Sequence, residues 1–351
     1  MINLLTIDWI LLLEKLILIA IIVSVSLVVA MYETYAERKI AAFMQDRIGP
    51  NRAGPFGILQ PLADGGKLFF KEEIIPSHSN KTLFILGPSL AMLTAMMTCA
   101  VVPWGGDINL FGRTISLQIA DVNIGILYVF AVVSLGVYGI MIGGWSSNNK
   151  FSLLAALRGA SQVISYELAM GIALISLLMV TGSLSLKTIV EQQIESHWWY
   201  VFKQPLAFLI FFICALAECN RTPFDLPEAE SELNMGYHQE YSSMKLGFYL
   251  FAEYVNMFIS SAIMATLFFG GYDIPFFDET AHTGWGNWLA VAGIICFVIK
   301  IAIFIFLFMW IRWTVPRFRY DQLMNLGWKK LIPLALANML VTGGIILWWS
   351  K

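Results

Sequence analysis

Residues 288–310 read WLAVAGIICFVIKIAIFIFLFMW, an unbroken apolar run carrying one charge, Lys300. About 20 such residues are what a helix rising 1.5 Å per residue needs to cross a ~30 Å hydrocarbon core. Seven further segments of the same kind lie at approximately 15–35, 82–103, 122–144, 158–181, 205–219, 246–269 and 331–349, the one at 205–219 being short. Each is apolar over several consecutive turns without the polar alternation of a barrel strand, so the expected spans are helices. Composition agrees: 58% of the 351 residues are hydrophobic, only 13% are charged, and the mean hydropathy is +0.71, far from a soluble domain.

The loops between the spans divide the charge unevenly. Sixteen of the 22 Lys and Arg fall in 36–81, 145–157, 220–245 and 311–330 or at their edges, and five on the other face. The positive-inside rule makes the rich face the inner one. With eight spans both termini then lie on the poor face, periplasmic in a bacterial inner membrane. Asp8 and Glu14 precede the first apolar run and no small-residue cleavage pattern follows it, so that run is expected to stay as a span. With no internal repeat, low-complexity tract or long soluble insertion, residues 1–351 read as one all-α membrane domain.

Ligands for an electron carrier are missing. The four cysteines, Cys99, Cys214, Cys219 and Cys296, form no C-x-x-C cluster, and His78, His197, His238 and His282 lie in loops rather than on spans; these patterns suit neither an iron–sulfur cluster nor an intramembrane haem. No glycine-rich nucleotide loop is present. Redox chemistry, if it takes place here, draws electrons from another subunit.

The spans carry Glu167, Glu218, Glu253 and Lys300. A charge at mid-membrane costs roughly 2.5–3.5 kcal/mol even on the milder scale, so such residues face a bundle interior or a wet cavity. For Lys300 the structural alternative is a pair with one of these glutamates, and for Glu218 a span end reaching the interface. Directly after the fifth span comes FDLPEAESE (224–232), with Asp225, Glu228, Glu230 and Glu232. Pro223 and Pro227 exclude a regular helix through its first half, so its backbone must be satisfied by protein or water. Beyond Pro227, Glu228 and Glu232 are expected at i and i+4 on one helical face, with Glu230 pointing elsewhere. Close, partly buried carboxylates raise one another's pKa toward neutrality. Continued inward by Glu218, Glu253 and Glu167, they make a hydrated proton relay the favoured reading over a divalent-cation site or a solvated acidic loop.

The first inner loop opens with a charged turn at Glu37–Lys39, followed by Gly49, Pro50, Gly54, Pro55 and Gly57 as turn formers. From residue 57 to 71, Ile58, Leu59, Leu62, Leu68, Phe69 and Phe70 supply an apolar side while Asp64, Lys67 and Lys71 take the polar one, as in an amphipathic helix lying in the membrane plane. Such a helix is able to line a lateral entrance for an amphiphile or to act as a plain surface anchor.

ERK (37–39), DRIGPNRAGPFGILQPLADG (46–65), GWSSNNKFSLL (144–154), SYE (165–167), RTPFDLPEAESEL (221–233) and RYDQLMNLGWK (319–329) resemble the H-type membrane component of bacterial proton-translocating NADH:quinone oxidoreductases, equivalent to subunit 1 of mitochondrial complex I. The similarity covers nearly the whole chain. The resemblance implies a subunit that builds the membrane end of the quinone chamber, with a ubiquinone or menaquinone as substrate. NADH, FMN and iron–sulfur clusters would sit on partner subunits of the peripheral arm, small membrane subunits would complete the surroundings, and no nucleic acid would be involved. By motif match Arg38, Asp64, Gly65 and Lys67 would lie along the quinone tunnel, and Glu167, Glu218, Asp225, Glu228, Glu230, Glu232 and Glu253 would begin the proton pathway. Many members carry Ala where Gly65 stands, and some a carboxylate near Tyr138.

Two other classes share part of this pattern. A homologous subunit of a hydrogenase or formate-linked complex would keep the fold and carboxylates without the quinone. A stand-alone ion-coupled transporter would show repeat symmetry, which is not found. With no ligand set of its own, the isolated chain is expected to be redox-silent: a haem or flavin band, or an iron–sulfur signal on reduction of the purified chain, would overturn that expectation.

Overall fold

The structure is a computed structural model and describes residues 9–110, 113–275, 277 and 286–349. In chain order it comprises α1 (Trp9–Met44), α2 (Gln60–Phe70), α3 (Lys81–Thr98), a hairpin of β1 (Ile108–Leu110) and β2 (Arg113–Ile115), α4 (Gly125–Ser146), α5 (Lys150–Thr181), α6 (Leu186–Ser196), α7 (Tyr200–Lys203), α8 (Pro205–Glu218), α9 (Glu230–Leu233), α10 (Ser243–Phe268), α11 (Gly286–Thr314), α12 (Tyr320–Asn325) and α13 (Ile332–Trp349). Among the described residues seven helical stretches are long and apolar enough to cross a membrane, the last running from α12 through a π-helical turn into α13. The protein is therefore an integral, predominantly helical membrane protein. The fifth expected span appears as α8, whose 14 residues cover only about 21 Å at 1.5 Å per residue.

Local signals place the helix ends. The Asn80 side chain accepts from the backbone N–H of Thr82 and Leu83 to start α3, and that of Asn149 from Phe151 to start α5, capping donors that have no partner inside the helix. Pro205 stands at the first turn of α8, where its missing N–H costs nothing. Two expectations are corrected. Glu37–Lys39 is no turn: α1 continues to Met44, since neither Gly nor Pro interrupts it before Gly49. Likewise the second half of the 311–330 loop is helical from Tyr320 onward, its geometry widened at Leu326–Leu331, where Gly327 passes the Tyr166 ring.

α10 is the centre of the bundle. Of its membrane window 72% is buried, against 17% for α1 and for the α12–α13 stretch, and it packs on α1, α2, α3, α6, α8 and α11. Close approach comes from small residues: the Tyr249 hydroxyl of α10 donates to Gly139 O at 3.0 Å, the Tyr241 hydroxyl to Gly143 O at 3.2 Å, and α3 lies against the same glycine face of α4 through Gly87 and Ala91.

Lys300, for which a pair with Glu167, Glu218 or Glu253 is the structural alternative, meets backbone carbonyls among the described residues. Its ammonium donates to the carbonyls of Phe269, Gly271 and Asp273 at 2.8, 2.9 and 2.6 Å and lies over the Trp199 ring. A cation is stabilised where a helix ends in unpaired carbonyls and the negative pole of its dipole, and α10 ends at this point. The Asp273 carboxylate accepts instead from the Trp199 indole N–H at 2.7 Å.

A Cβ at Gly143 would collide with the Tyr249 hydroxyl, whereas one at Gly171 meets nothing within 4 Å. Gly143→Val is therefore expected to lower the thermal midpoint of the detergent-purified protein, at the ~1–3 kcal/mol scale of core overpacking or beyond, while Gly171→Ala leaves it unchanged or raises it.

Candidate functional site

Where α1 meets α2, Arg38, Asp64, Gly65 and Lys67 line one cavity of about 260 Å³ together with Leu68, Phe251 and Tyr254. Helical continuation of α1 to Met44 aims Arg38 at α2, and its guanidinium donates to Asp64 Oδ2 at 2.7 Å; the Gln60 amide donates to Asp64 Oδ1 at 3.1 Å. Gly65 has open space around its Cβ position, so an alanine fits there without rearrangement. The walls are apolar on the α10 side and charged on the α2 side, the division an amphiphile with a polar head requires.

Tyr254 carries this cavity into the bundle. Its hydroxyl donates to Glu37 Oε2 at 2.8 Å and its ring lies 4.1 Å beneath the Arg221 guanidinium. Arg221 is buried, 3.7 Å from Glu37 and 3.8 Å from Glu253. These contacts are longer than direct hydrogen bonds, so the guanidinium is attracted to both carboxylates and clamped by neither. Arg312 of α11 reaches Glu37 directly. Glu253 in turn accepts from the Tyr237 hydroxyl at 3.3 Å and faces Glu228.

The acidic loop runs as turns from Cys219 to Ala229. Gln162, buried in α5, donates to Ala217 O and Phe224 O at 2.7 and 2.8 Å, and Gly236 at φ +69° lets the chain double back against Pro227, whose carbonyl a Cβ there would strike. The two sides of the loop do different things. Asp225 and Glu228 turn inward, Asp225 to Arg317 at 3.0 Å and Glu228 to His238 at 3.9 Å. Glu232 turns outward to Arg158 at 2.6 Å. The expected shared face for Glu228 and Glu232 is thus corrected: Ala229 is not helical and α9 begins only at Glu230. The side chain of Glu230 lies outside the described residues.

Deeper, Glu218 and Glu253 line one small cavity of about 50 Å³ with Asn220, Tyr237, Tyr249 and Asn256, room for a few water molecules. Glu218 therefore closes α8 against the interior rather than reaching the interface. Glu167 accepts from Ser134 of α4 at 2.9 Å and is close enough to Glu218 for their charges to interact.

Several members of the network carry little signal in the sequence. Glu37, 5% exposed, reads there as part of a charged turn, and Glu33, 4% exposed, is not singled out although it falls inside the first expected span. Arg221, to all appearance an inner-face cation, is 4% exposed. Gln162 is polar but uncharged, so the rule that picks out Glu167 passes over it. Tyr237 and Tyr254 give no signal at all, since their roles depend on hydroxyl placement.

The sequence has counterparts among known proteins. A family model described as NADH dehydrogenase matches residues 16–343. The chain belongs to the NADH dehydrogenase family. Within that family it is 63% identical over 336 residues to an NADH-quinone oxidoreductase H-type subunit of Cytophaga hutchinsonii, covering 96% of this chain and 97% of the relative. It is 60% identical over 334 residues to the corresponding subunit of Flavobacterium johnsoniae, covering 95% of each, and 47% identical over 349 residues to that of Thermomicrobium roseum, covering 97% and 98%.

Asp225 carries a pH dependence of its own. Burial first, then the Glu228 charge, raise its pKa to about 7, against the opposing pull of Arg317, Arg312 and Arg221, so it is protonated below neutrality and charged above. Removing the cation in Arg317→Ala should move this transition to higher pH, and removing the anion in Glu228→Gln to lower pH. Infrared titration of protonated carboxyl bands should register both shifts and lose the transition in Asp225→Asn.

Proposed function

We propose that this chain is the membrane subunit of a proton-translocating NADH:quinone oxidoreductase, forming the membrane end of the quinone chamber and linking quinone reduction to a carboxylate relay. The observation that carries this reading is that the Arg38–Asp64 cavity and the buried network of Glu37, Arg221 and Glu253 share one residue, Tyr254. The relatives' names favour a quinone over a hydrogenase or formate-linked partner.

In this reading the quinone head lies against Arg38, Asp64 and Lys67, while its isoprenoid tail follows the apolar wall of α10. The Arg38 guanidinium bonds Asp64 Oδ2 through one nitrogen and keeps further N–H donors in its plane for a quinone oxygen, a geometry that a lysine cannot reproduce. The helix at Gln60–Phe70 rests in the membrane interface beside the entrance, and α8 with the turn before it completes an eighth, shortened span that leaves both termini on the Lys/Arg-poor, periplasmic side of a bacterial inner membrane. Electrons reach the quinone from an iron–sulfur cluster of the peripheral arm, where FMN and the NADH site also reside, and other membrane subunits continue the relay. Quinone reduction draws protons and negative charge to the cavity, and the loosely held Arg221 redistributes between Glu37 and Glu253 in response. Asp225 and Glu228 take up protons from the inner surface, and Glu253, Glu218 and Glu167 carry them inward. Glu232, paired outward with Arg158, and Glu230 belong to the mouth of the pathway.

Two variants test this in the assembled complex. Arg38→Lys is expected to reduce quinone turnover roughly tenfold, ~1.4 kcal/mol at the transition state, with NADH oxidation by an artificial peripheral-arm acceptor unchanged. Glu228→Gln should lower proton pumping. Equal loss of both NADH activities in Arg38→Lys, or full pumping in Glu228→Gln, is the result that defeats the proposal.

A further inference from the structure

Glu33 lies one turn before Glu37 on the same face of α1, a spacing that puts their Cβ atoms about 6 Å apart. It is 4% exposed, and neither carboxyl oxygen has a hydrogen-bond partner among the described residues. The charges that act on it are those of Arg221 and Glu37. From the α8 side the Cys219 thiol lies within electrostatic reach of Glu33, Glu218 and Arg221 together. The Arg38–Asp64 cavity is reached from Glu37 through Tyr254. Glu33 thus stands between two sets of groups: Glu37 and Tyr254 toward the cavity, Cys219 and Glu218 toward the interior.

A buried carboxylate with no donor is costly when charged, and no structural role explains one here. A glutamate that only braced the helices would be tied to a partner, as Glu37 is to Tyr254 and Arg312. An apolar residue would fill a purely structural position at lower cost. What a carboxyl offers here is the capacity to bind and release one proton beside a guanidinium that is shared among several anions.

We propose that Glu33 is a proton-holding station on α1, joining the quinone-side cavity to the Glu218 end of the relay. Resting on the function proposed above, it supplies a connection within the bundle that the acidic loop does not. It takes up one proton from the Glu37 side and releases one toward Glu218, with no bond but O–H made or broken. Arg221 sets the direction: drawn toward Glu37 or Glu253 it leaves Glu33 without a counter-charge and favours proton uptake, and on returning it favours release. Glu33 touches neither the quinone nor the electron donor, so it is a relay residue and not a catalytic one.

The test uses the intact complex in proteoliposomes and compares Glu33→Gln, Glu33→Asp and Glu228→Gln. Glu33→Gln keeps shape and polarity while removing the titratable group. It is expected to lower proton pumping by roughly a hundredfold or more, the scale on which a positioned proton-transfer group acts, with NADH oxidation by the artificial peripheral-arm acceptor unchanged. Glu33→Asp should restore pumping in part and displace its pH profile. Wild-type pumping in Glu33→Gln together with impaired pumping in Glu228→Gln defeats this inference alone, whereas full pumping in both defeats the relay reading itself. Should Glu33→Gln fail to assemble, Glu33→Asp decides: a displaced pH profile supports the station, and a wild-type profile overturns it.

Discussion

A guanidinium at the depth of Arg221 is tolerable only inside a shell of anions and aromatic faces, because the loss of hydration exceeds what any single ion pair returns. The shell is drawn from different parts of the chain. Glu37 comes from α1, Glu253 and the Tyr254 ring from α10, and Arg312 of α11 neutralises the second oxygen of Glu37. Removing one member leaves a buried charge uncompensated and affects every helix that contributes to the shell. The packing of α1, α10 and α11 around the loop after α8 is thus an electrostatic requirement as much as an apolar one.

The C-terminal end of α10 is held by a second cation in a different manner. Lys300 binds three carbonyls near its C-terminus, so it neutralises the backbone dipoles there. The result is a central helix held near its middle by Arg221 and at its C-terminal end by Lys300. Around the Arg221 contact, α10 presents Glu253 and Tyr249 to the interior and Tyr254 to the cavity. Attachment at these two points keeps the three side chains in register.

Much of this architecture was legible in the sequence because bilayer thickness imposes a length on each helix, and runs such as 288–310 satisfy it without ambiguity. The short fifth segment was visible for the same reason. The ends of α1 and the α12–α13 stretch were not, because a helix leaving the membrane can remain helical in water; Glu37–Lys39 looked like a turn only on account of its charge. The candidate site was half legible. Asp225, Glu228 and Glu253 stood out as carboxylates against an apolar background, and Arg38 and Asp64 through family motifs. The partners of Lys300, the inward turn of Glu228 and the burial of Glu33 depend on how helices meet, which residue spacing does not encode. Charge at a span edge has two outcomes, snorkelling to the surface or burial in a network, and Arg221 and Glu37 took the second.

Irregular backbone is what makes the network possible at this depth. A full-length fifth helix would have filled the inner half of the bundle with apolar side chains and left its backbone satisfied internally. α8 instead stops at Glu218, and the turns that follow have their carbonyls met by Gln162 and by neighbouring N–H groups, including those of Tyr237 and Phe318. Those turns deliver Arg221, Asp225 and Glu228 beneath the surface without a helix to carry them. The cost of a broken span is therefore local and largely offset by hydrogen bonds, and its consequence is a polar interior bounded by the acidic loop and linked to the Arg38–Asp64 cavity through Tyr254. A chain that needed only a lipid-embedded scaffold would have no reason to keep such a break, whereas the proton path proposed for this chain requires it.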